Sequence, residues 1–163
     1  MTAASLPGIS CPVGTFNPDL GARNVGDCID CPEGYLCTTL GLADDYALLT
    51  KCPAGSYCPG AAISKSAIDC PIGAYCPEGS VTFTQCPVGT YQSGTMKTLL
   101  SDCVDCPLNY YCGSKGIGDS TTLPLCGDGY ICLGGTAVST PLSTQKGDFC
   151  PTGKYCSRLA LGA

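Results

Sequence analysis

The chain has 163 residues, a number that by itself suggests one compact domain, but its composition argues otherwise. Sixteen residues are Cys, there is no Trp or His, and Leu, Ile, Val and Phe together make up only about a fifth of the chain, too little apolar surface for one ordinary core. A net charge of −5 with eight scattered Lys and Arg argues against nucleic acid and anionic membranes as partners.

Taken in chain order, the sequence is a series of variations on Cys70-Pro71-Ile72-Gly73-Ala74-Tyr75-Cys76. Units open at Cys11, Cys31, Cys52, Cys70, Cys86, Cys106, Cys126 and Cys150. The nearest openings are Cys70 and Cys86 and the farthest Cys126 and Cys150, a short and fairly even interval of the kind found in stacked repeat arrays. Pro follows the opening Cys in all but one unit, where Gly127 stands instead. Three places after the opening Cys come Gly14, Gly34, Gly55, Gly73, Gly89, Asn109, Gly129 and Gly153. A position that accepts only Gly or Asn predicts a left-handed residue in a tight turn, with Pro pre-setting the turn's φ. An aromatic follows at Phe16, Tyr57, Tyr75, Tyr91, Tyr111 and Tyr155; Leu36 and Ile131 are the exceptions, each preceded by Tyr. These rings are expected to pack on their own or a neighbouring disulfide in place of a core, the alternative being a binding stripe.

Six units close with a Cys at the sixth place: Cys37, Cys58, Cys76, Cys112, Cys132 and Cys156. The other two have Asn17 and Gln92 there, and these two alone gain a late Cys, Cys28 or Cys103. Each unit thus owns two cysteines, which favours bridges within units; a crossed pattern, Cys11–Cys31 with Cys28–Cys37, stays open. Each short loop so closed is worth roughly 2 to 3 kcal/mol in the chain-entropy model, so eight together rival the stability of an ordinary domain.

A longer period lies over the short one. Cys11, Cys28, Cys31 and Cys37 recur with the same mutual spacing as Cys86, Cys103, Cys106 and Cys112, and Cys70 and Cys76 recur as Cys150 and Cys156. This gives an N-terminal segment or junction (1–10), two four-unit blocks (11–85 and 86–156) and a C-terminal segment or junction (157–163). The fold class expected is a small disulfide-rich repeat array, an elongated rod of short β-hairpins and turns without a single hydrophobic core. Single helical turns are expected near 43–50 and 95–101, and a surface loop over the Ser/Thr-rich stretch 136–144.

The chemistry-bearing groupings are few. Cys28-Ile29-Asp30-Cys31 and Cys103-Val104-Asp105-Cys106 have redox-like spacing but no strand-and-helix pattern around them. A zinc site is disfavoured by the lack of His and by Cys-x5-Cys spacings that suit hairpin bridges. Asp27, Asp30, Asp102 and Asp105 recur in both blocks, yet no Asp-x-Asp-x-Asp-Gly calcium loop accompanies them, and polar turn flanks are the expectation. With no His to act as base and no nucleophile motif, no catalytic residue, metal or cofactor is assigned. No Asn-x-Ser/Thr sequon occurs; O-linked sugar is a candidate at Thr121, Thr122, Ser139 and Thr140. An even, fully pairable set of cysteines predicts an oxidising compartment, extracellular or at a cell surface. Residues 1–10 do not read as a signal peptide and no run is long enough to span a bilayer; the expectation is a removed leader or a start inside a longer precursor.

The run Cys-Pro-x-Gly-x-Tyr, followed by a late Cys and Cys-x-x-Cys-Pro, resembles the cysteine-rich repeats of the ephrin-receptor-like and tumour-necrosis-factor-receptor-like families from Cys11 to Cys156. The tighter form at Cys52 to Pro59 and Cys70 to Pro77 is similar to arrays in large surface proteins of protists, including ciliate surface antigens. Receptor repeats of the tumour-necrosis-factor type carry six Cys with crossed bridges, whereas these units carry two, and the resemblance lends no catalytic residue. Copies joined head to tail, through the segments before Cys11 and after Cys156, would leave between cysteines a gap as long as that from Cys132 to Cys150. The function expected is a structural component of an extracellular filament or surface coat, with self as partner; the alternative is a ligand-binding segment of a receptor-like ectodomain.

Overall fold

The computed structural model describes residues 8–19, 23–42, 49–60 and 67–156. Among them there is no α-helix; the regular elements are two- and three-residue strands and brief 3-10 turns. Six antiparallel hairpins form: β1 (Thr15–Phe16) with β2 (Ile29–Asp30), β3 (Tyr35–Leu36) with β4 (Thr50–Lys51), and β5 (Ser56–Tyr57) with β6 (Ile68–Asp69) are the first three. β7 (Ala74–Tyr75) with β8 (Thr84–Gln85), β9 (Thr90–Tyr91) with β10 (Val104–Asp105), and β11 (Tyr130–Cys132) with β12 (Gly147–Phe149) complete them. In the unit that opens at Cys106 the hairpin shrinks to one bridge, Tyr110 to Leu125, and the unit at Cys150 has no strand among its described residues. The fold is therefore the expected small disulfide-rich hairpin array.

Each hairpin begins just after the left-handed residue of one unit and ends just before the opening Cys of the next. The reason is local. Pro12, Pro53, Pro87 and Pro107 offer carbonyls to the N–H three residues on, at Thr15, Ser56, Thr90 and Tyr110, and the residue closing each turn has φ between 70° and 91°. Such a turn reverses the chain and leaves it extended, ready to pair.

Sulfur occupies the interior. The buried apolar residues are mostly half-cystines, with Phe16, Leu49, Ala74 and Leu123 among the few hydrocarbon side chains beside them. They form separate clusters, each centred on one disulfide, Cys31–Cys37, Cys70–Cys76 or Cys106–Cys112, which suits a chain too poor in Leu, Ile and Val for a shared core.

Two local expectations are corrected. The stretch 136–144 is not simply a surface loop. Thr136 and Pro141 are fully buried, and the Thr136 hydroxyl donates to the carbonyls of Leu133 and Lys146, pinning the extra residues of this hairpin against β11. The turn expected over 95–101 forms one step later, as a 3-10 turn at Leu100–Asp102, and a counterpart stands at the matching place of the first block, Val25–Asp27. The turn expected over 43–50 falls largely outside the described residues; within them, Thr50 belongs to β4.

Candidate functional site

Among the described residues, the feature that recurs is the junction between consecutive units. Its backbone chemistry is clearest where the fourth unit meets the fifth. The Gly73 N–H donates to the Gln92 carbonyl (2.7 Å), and the Cys86 N–H returns a bond to the Gly73 carbonyl (2.9 Å). The Met96 N–H donates to the Cys70 carbonyl (2.9 Å) and the Cys76 N–H to the Lys97 carbonyl (2.8 Å). The first two bonds recur at all seven junctions, and the full set of four at five of them. Because the bonds are main chain to main chain, side chains can vary while the clamp is kept, which is why Gln92 fills the place of a closing Cys without loss of the bond.

The clamp depends on two left-handed residues per junction, and the sequence reading found only one. Gly41, Gly79, Met96, Gly116 and Gly135, three or four places past the closing position, also have positive φ, and their N–H groups reach back to the opening Cys of the preceding unit. A Gly at varying distance after the closing Cys was the signal, blurred by Met96. Close approach adds a second demand at the first glycine. A Cβ on Gly73 would stand 2.1 Å from the Gly116 carbonyl oxygen, and one on Gly55 2.7 Å from that of Met96. These partners lie two units along, as do those of Gly34 and Gly89, so these four turns touch their second neighbours as well as their first.

The disulfides sit inside this frame. Cys11–Cys28 and Cys86–Cys103 close loops of sequence separation 17. Cys31–Cys37, Cys52–Cys58, Cys70–Cys76, Cys106–Cys112, Cys126–Cys132 and Cys150–Cys156 close loops of separation 6. All sixteen cysteines are paired within their units, and the crossed pattern is not formed. In the two long-loop units a 3-10 turn delivers the late Cys. The Asp102 carboxylate accepts the N–H groups of Thr98 and Leu99 (both 2.9 Å), and Asp27 accepts those of Arg23 and Asn24. These bonds, from Leu99 first and then Thr98, hold the Asp102 carboxyl below the usual carboxylate range. The buried Gln92 amide donates to the Asp102 carbonyl and accepts from Gly94, tying the loop to the position where other units have sulfur. Asp30 and Asp105 lie on exposed strands, and Asp105 meets Lys146 at 3.4 Å.

Of the aromatics, Phe16 is fully buried against Cys31–Cys37, Tyr57 packs on Cys70–Cys76, and Tyr91 packs on Cys106–Cys112. In each case the ring covers the disulfide of the following unit. Tyr75 and Tyr111 are half-buried, whereas Tyr155 is 85% exposed. Tyr130 instead stacks at 5.0 Å on Phe149. Thr121, Thr122 and Thr140 are exposed and Ser139 is half-buried; the Thr121 hydroxyl donates to Asp119 at 2.7 Å. Among the described residues, no cluster of His, Cys, Asp or Glu is arranged to hold a metal, and no helix is long and apolar enough to cross a membrane.

No family model matches the chain. Over 108 residues, 66% of its length, it is 32% identical to cysteine repeat modular protein A of Toxoplasma gondii. Over 117 residues, 72% of its length, it is 29% identical to the sushi, von Willebrand factor type A, EGF and pentraxin domain-containing protein 1 of Rattus norvegicus. The chain spans only 3% and 2% of those two proteins. Together with the eight bridges, these matches show a disulfide-bonded, cysteine-rich repeat protein, similar to short segments of much larger modular proteins.

Proposed function

We propose that this chain is a structural element of an extracellular filament or cell-surface coat, a ladder of clasped units that assembles head to tail with copies of itself. Its repeats are best grouped with the ephrin-receptor-like type, built here with two cysteines per unit. The observation that carries the reading is the main-chain clamp repeated from unit to unit. A junction made of backbone bonds is insensitive to side-chain identity and directional, and a directional, heterologous junction propagates into an open fibre when it does not close. The disulfides fit the same role, because they remain stable only in an oxidising setting and they hold each unit without a core. O-linked sugar at exposed Thr121, Thr122 or Thr140 would cover the outer face of such a coat. Electron microscopy of the native material tests this directly: filaments or a regular surface layer decorated by an antibody to this chain are expected. Uniformly dispersed chains bound to a diffusible ligand would overturn it.

One observation favours the alternative, a ligand-binding ectodomain segment. The loop between β11 and β12 is held in place through Thr136 and Pro141 and so presents a fixed surface. Loss of partner capture on replacing that loop, with assembly intact, would select this second reading.

A further inference from the structure

Between Cys31 and Cys132 every half-cystine is buried except Cys103, which is half-buried. Its bridge also sits differently in the array. In the short-loop units the residue that accepts the turn N–H of the preceding unit is the closing Cys itself, held inside a loop of separation 6, as Cys76 is for Gly55 and Cys112 for Gly89. At the boundary between the two blocks the acceptor is Gln92, and the covalent tie comes only at the far end of the loop, at Cys103.

The loop that this bridge closes carries most of what joins the blocks. Three of the four clamp bonds end on it: the Gly73 N–H to the Gln92 carbonyl, the Cys76 N–H to the Lys97 carbonyl, and the Met96 N–H to the Cys70 carbonyl. The Met96 carbonyl oxygen also lies against the third unit, 2.7 Å from a Cβ built on Gly55. The two ends of the bridge are held unequally. Cys86 is fixed from both sides, its N–H donating to Gly73 and its carbonyl accepting from Gly116 (both 2.9 Å), whereas the Cys103 N–H donates within its own 3-10 turn, to Leu100 (3.0 Å).

We propose that Cys86–Cys103 is a site of thiol–disulfide exchange, opened by a small thiol at the Cys103 Sγ, and that its opening loosens the first block from the second. Exchange needs a thiolate to reach a sulfur, and burial denies that approach at the short bridges between Cys31 and Cys132. The incoming thiolate forms a mixed disulfide with Cys103 and expels Cys86 as a thiolate. A second thiolate then frees Cys103, so that two small thiols leave as one disulfide, and the bridge takes up two electrons and, from those thiols, two protons. The opened loop is held by hydrogen bonds alone: the β9–β10 ladder at its base, Gln92 with Asp102 and Gly94, and Asp102 with Thr98 and Leu99. The ladder keeps Cys103 near Cys86, so the bridge re-forms when a small disulfide replaces the thiol. Cys28, at the matching place of the first block, is half-buried too. The inference holds for a coat element and for a ligand-binding segment alike, because it concerns a bridge inside the chain.

The test uses the whole chain. It is exposed to limiting dithiothreitol, trapped with iodoacetamide at intervals, and mapped by mass. Cys86 and Cys103 are expected to be labelled at least about tenfold faster than Cys70 with Cys76 or Cys106 with Cys112, as access to the sulfur dictates. The double variant Cys86→Ser with Cys103→Ser represents the open state without bulky labels. In it, amide exchange at Gly73 and Cys76 is expected to rise by between about tenfold and the hundredfold that a loop of this length allows, while the Asn109 amide, bonded to Cys132, keeps its protection. Returning the reduced parent to oxidised dithiothreitol is expected to restore Cys86–Cys103 and the original exchange. Short bridges labelled as fast as Cys86–Cys103 would overturn the exchange site. Gly73 and Cys76 amides as protected in the double variant as in the parent would overturn the loosening, and failure of the bridge to re-form would overturn its reversibility.

Discussion

Replacing Gly73 by Ala separates the two demands placed on the turn glycines. Gly73 has φ 74° and Gly129 has φ 82°, so either substitution forces an L-residue into the left-handed region, at about 1–2 kcal/mol. At Gly129 nothing lies within 4 Å of the new methyl, whereas at Gly73 it would stand 2.1 Å from the Gly116 carbonyl oxygen. Backbone cannot swing aside as a flexible side chain does, so Gly73→Ala carries an overpacking cost of about 1–3 kcal/mol besides. An array of this kind need not unfold as one unit, and the readout should therefore be local. Amide hydrogen exchange at Cys86 and Gly116, whose N–H groups donate to Gly73 and Cys86, is expected to speed up by roughly thirtyfold to a few thousandfold in Gly73→Ala, the two costs together being about 2–5 kcal/mol at about 1.4 kcal/mol per decade. In Gly129→Ala, where the conformational cost acts alone, the matching Cys150 amide should change by only about five- to thirtyfold. Equal effects in the two variants would refute the close approach between units two apart and leave backbone conformation as the whole explanation.

Other outcomes follow from the same geometry. Replacing Cys86 and Cys103 together by Ala removes a loop of separation 17 and is expected to cost about 3 kcal/mol, against about 2 for Cys70 with Cys76 at separation 6; urea titration followed by local proteolysis compares them, and the reverse order would contradict the loop-entropy account. Phe16→Ala strips a fully buried ring from Cys31–Cys37, with an expected local loss of about 3–5 kcal/mol and faster reduction of that bridge by dithiothreitol than of Cys126–Cys132. The Asp102 carboxyl is held low by the N–H groups of Leu99 and Thr98, so its contribution is fully present above the unfolded-state value and is lost as pH falls through the lowered folded value. Intrinsic-rate-corrected protection of the Thr98 and Leu99 amides should therefore fall in acid, below the usual carboxylate range, and Asp102→Ala should abolish that dependence; a flat profile in the parent chain would count against the bonds.

Much of this architecture was legible in the chain because the repeat is written in residues with narrow conformational choices. Pro fixes φ, and Gly or Asn at the next-but-one place marks a left-handed turn, so the hairpin starts could be placed without coordinates. The late Cys28 and Cys103, standing in units that lack a closing Cys, pointed to bonding within units. Asn109, the one exception among the glycines, indeed has φ 70°. The second left-handed residue escaped notice because its distance from the closing position varies and Met96 fills it once. The buried role of Thr136 was hidden by a composition that reads as loop, since polarity shows what a side chain prefers and not which carbonyl lies above it.

The sequence by itself determined the unit, its turn and the pairing of cysteines within it, since each of these follows from bonds and torsions within a short stretch of chain. Only the tertiary structure decided how units meet: a four-bond main-chain clamp, rings laid over the next disulfide, and glycines pressed against a carbonyl two units away. Those contacts join residues from different units through backbone atoms that every residue shares, and so no choice of side chain announces them.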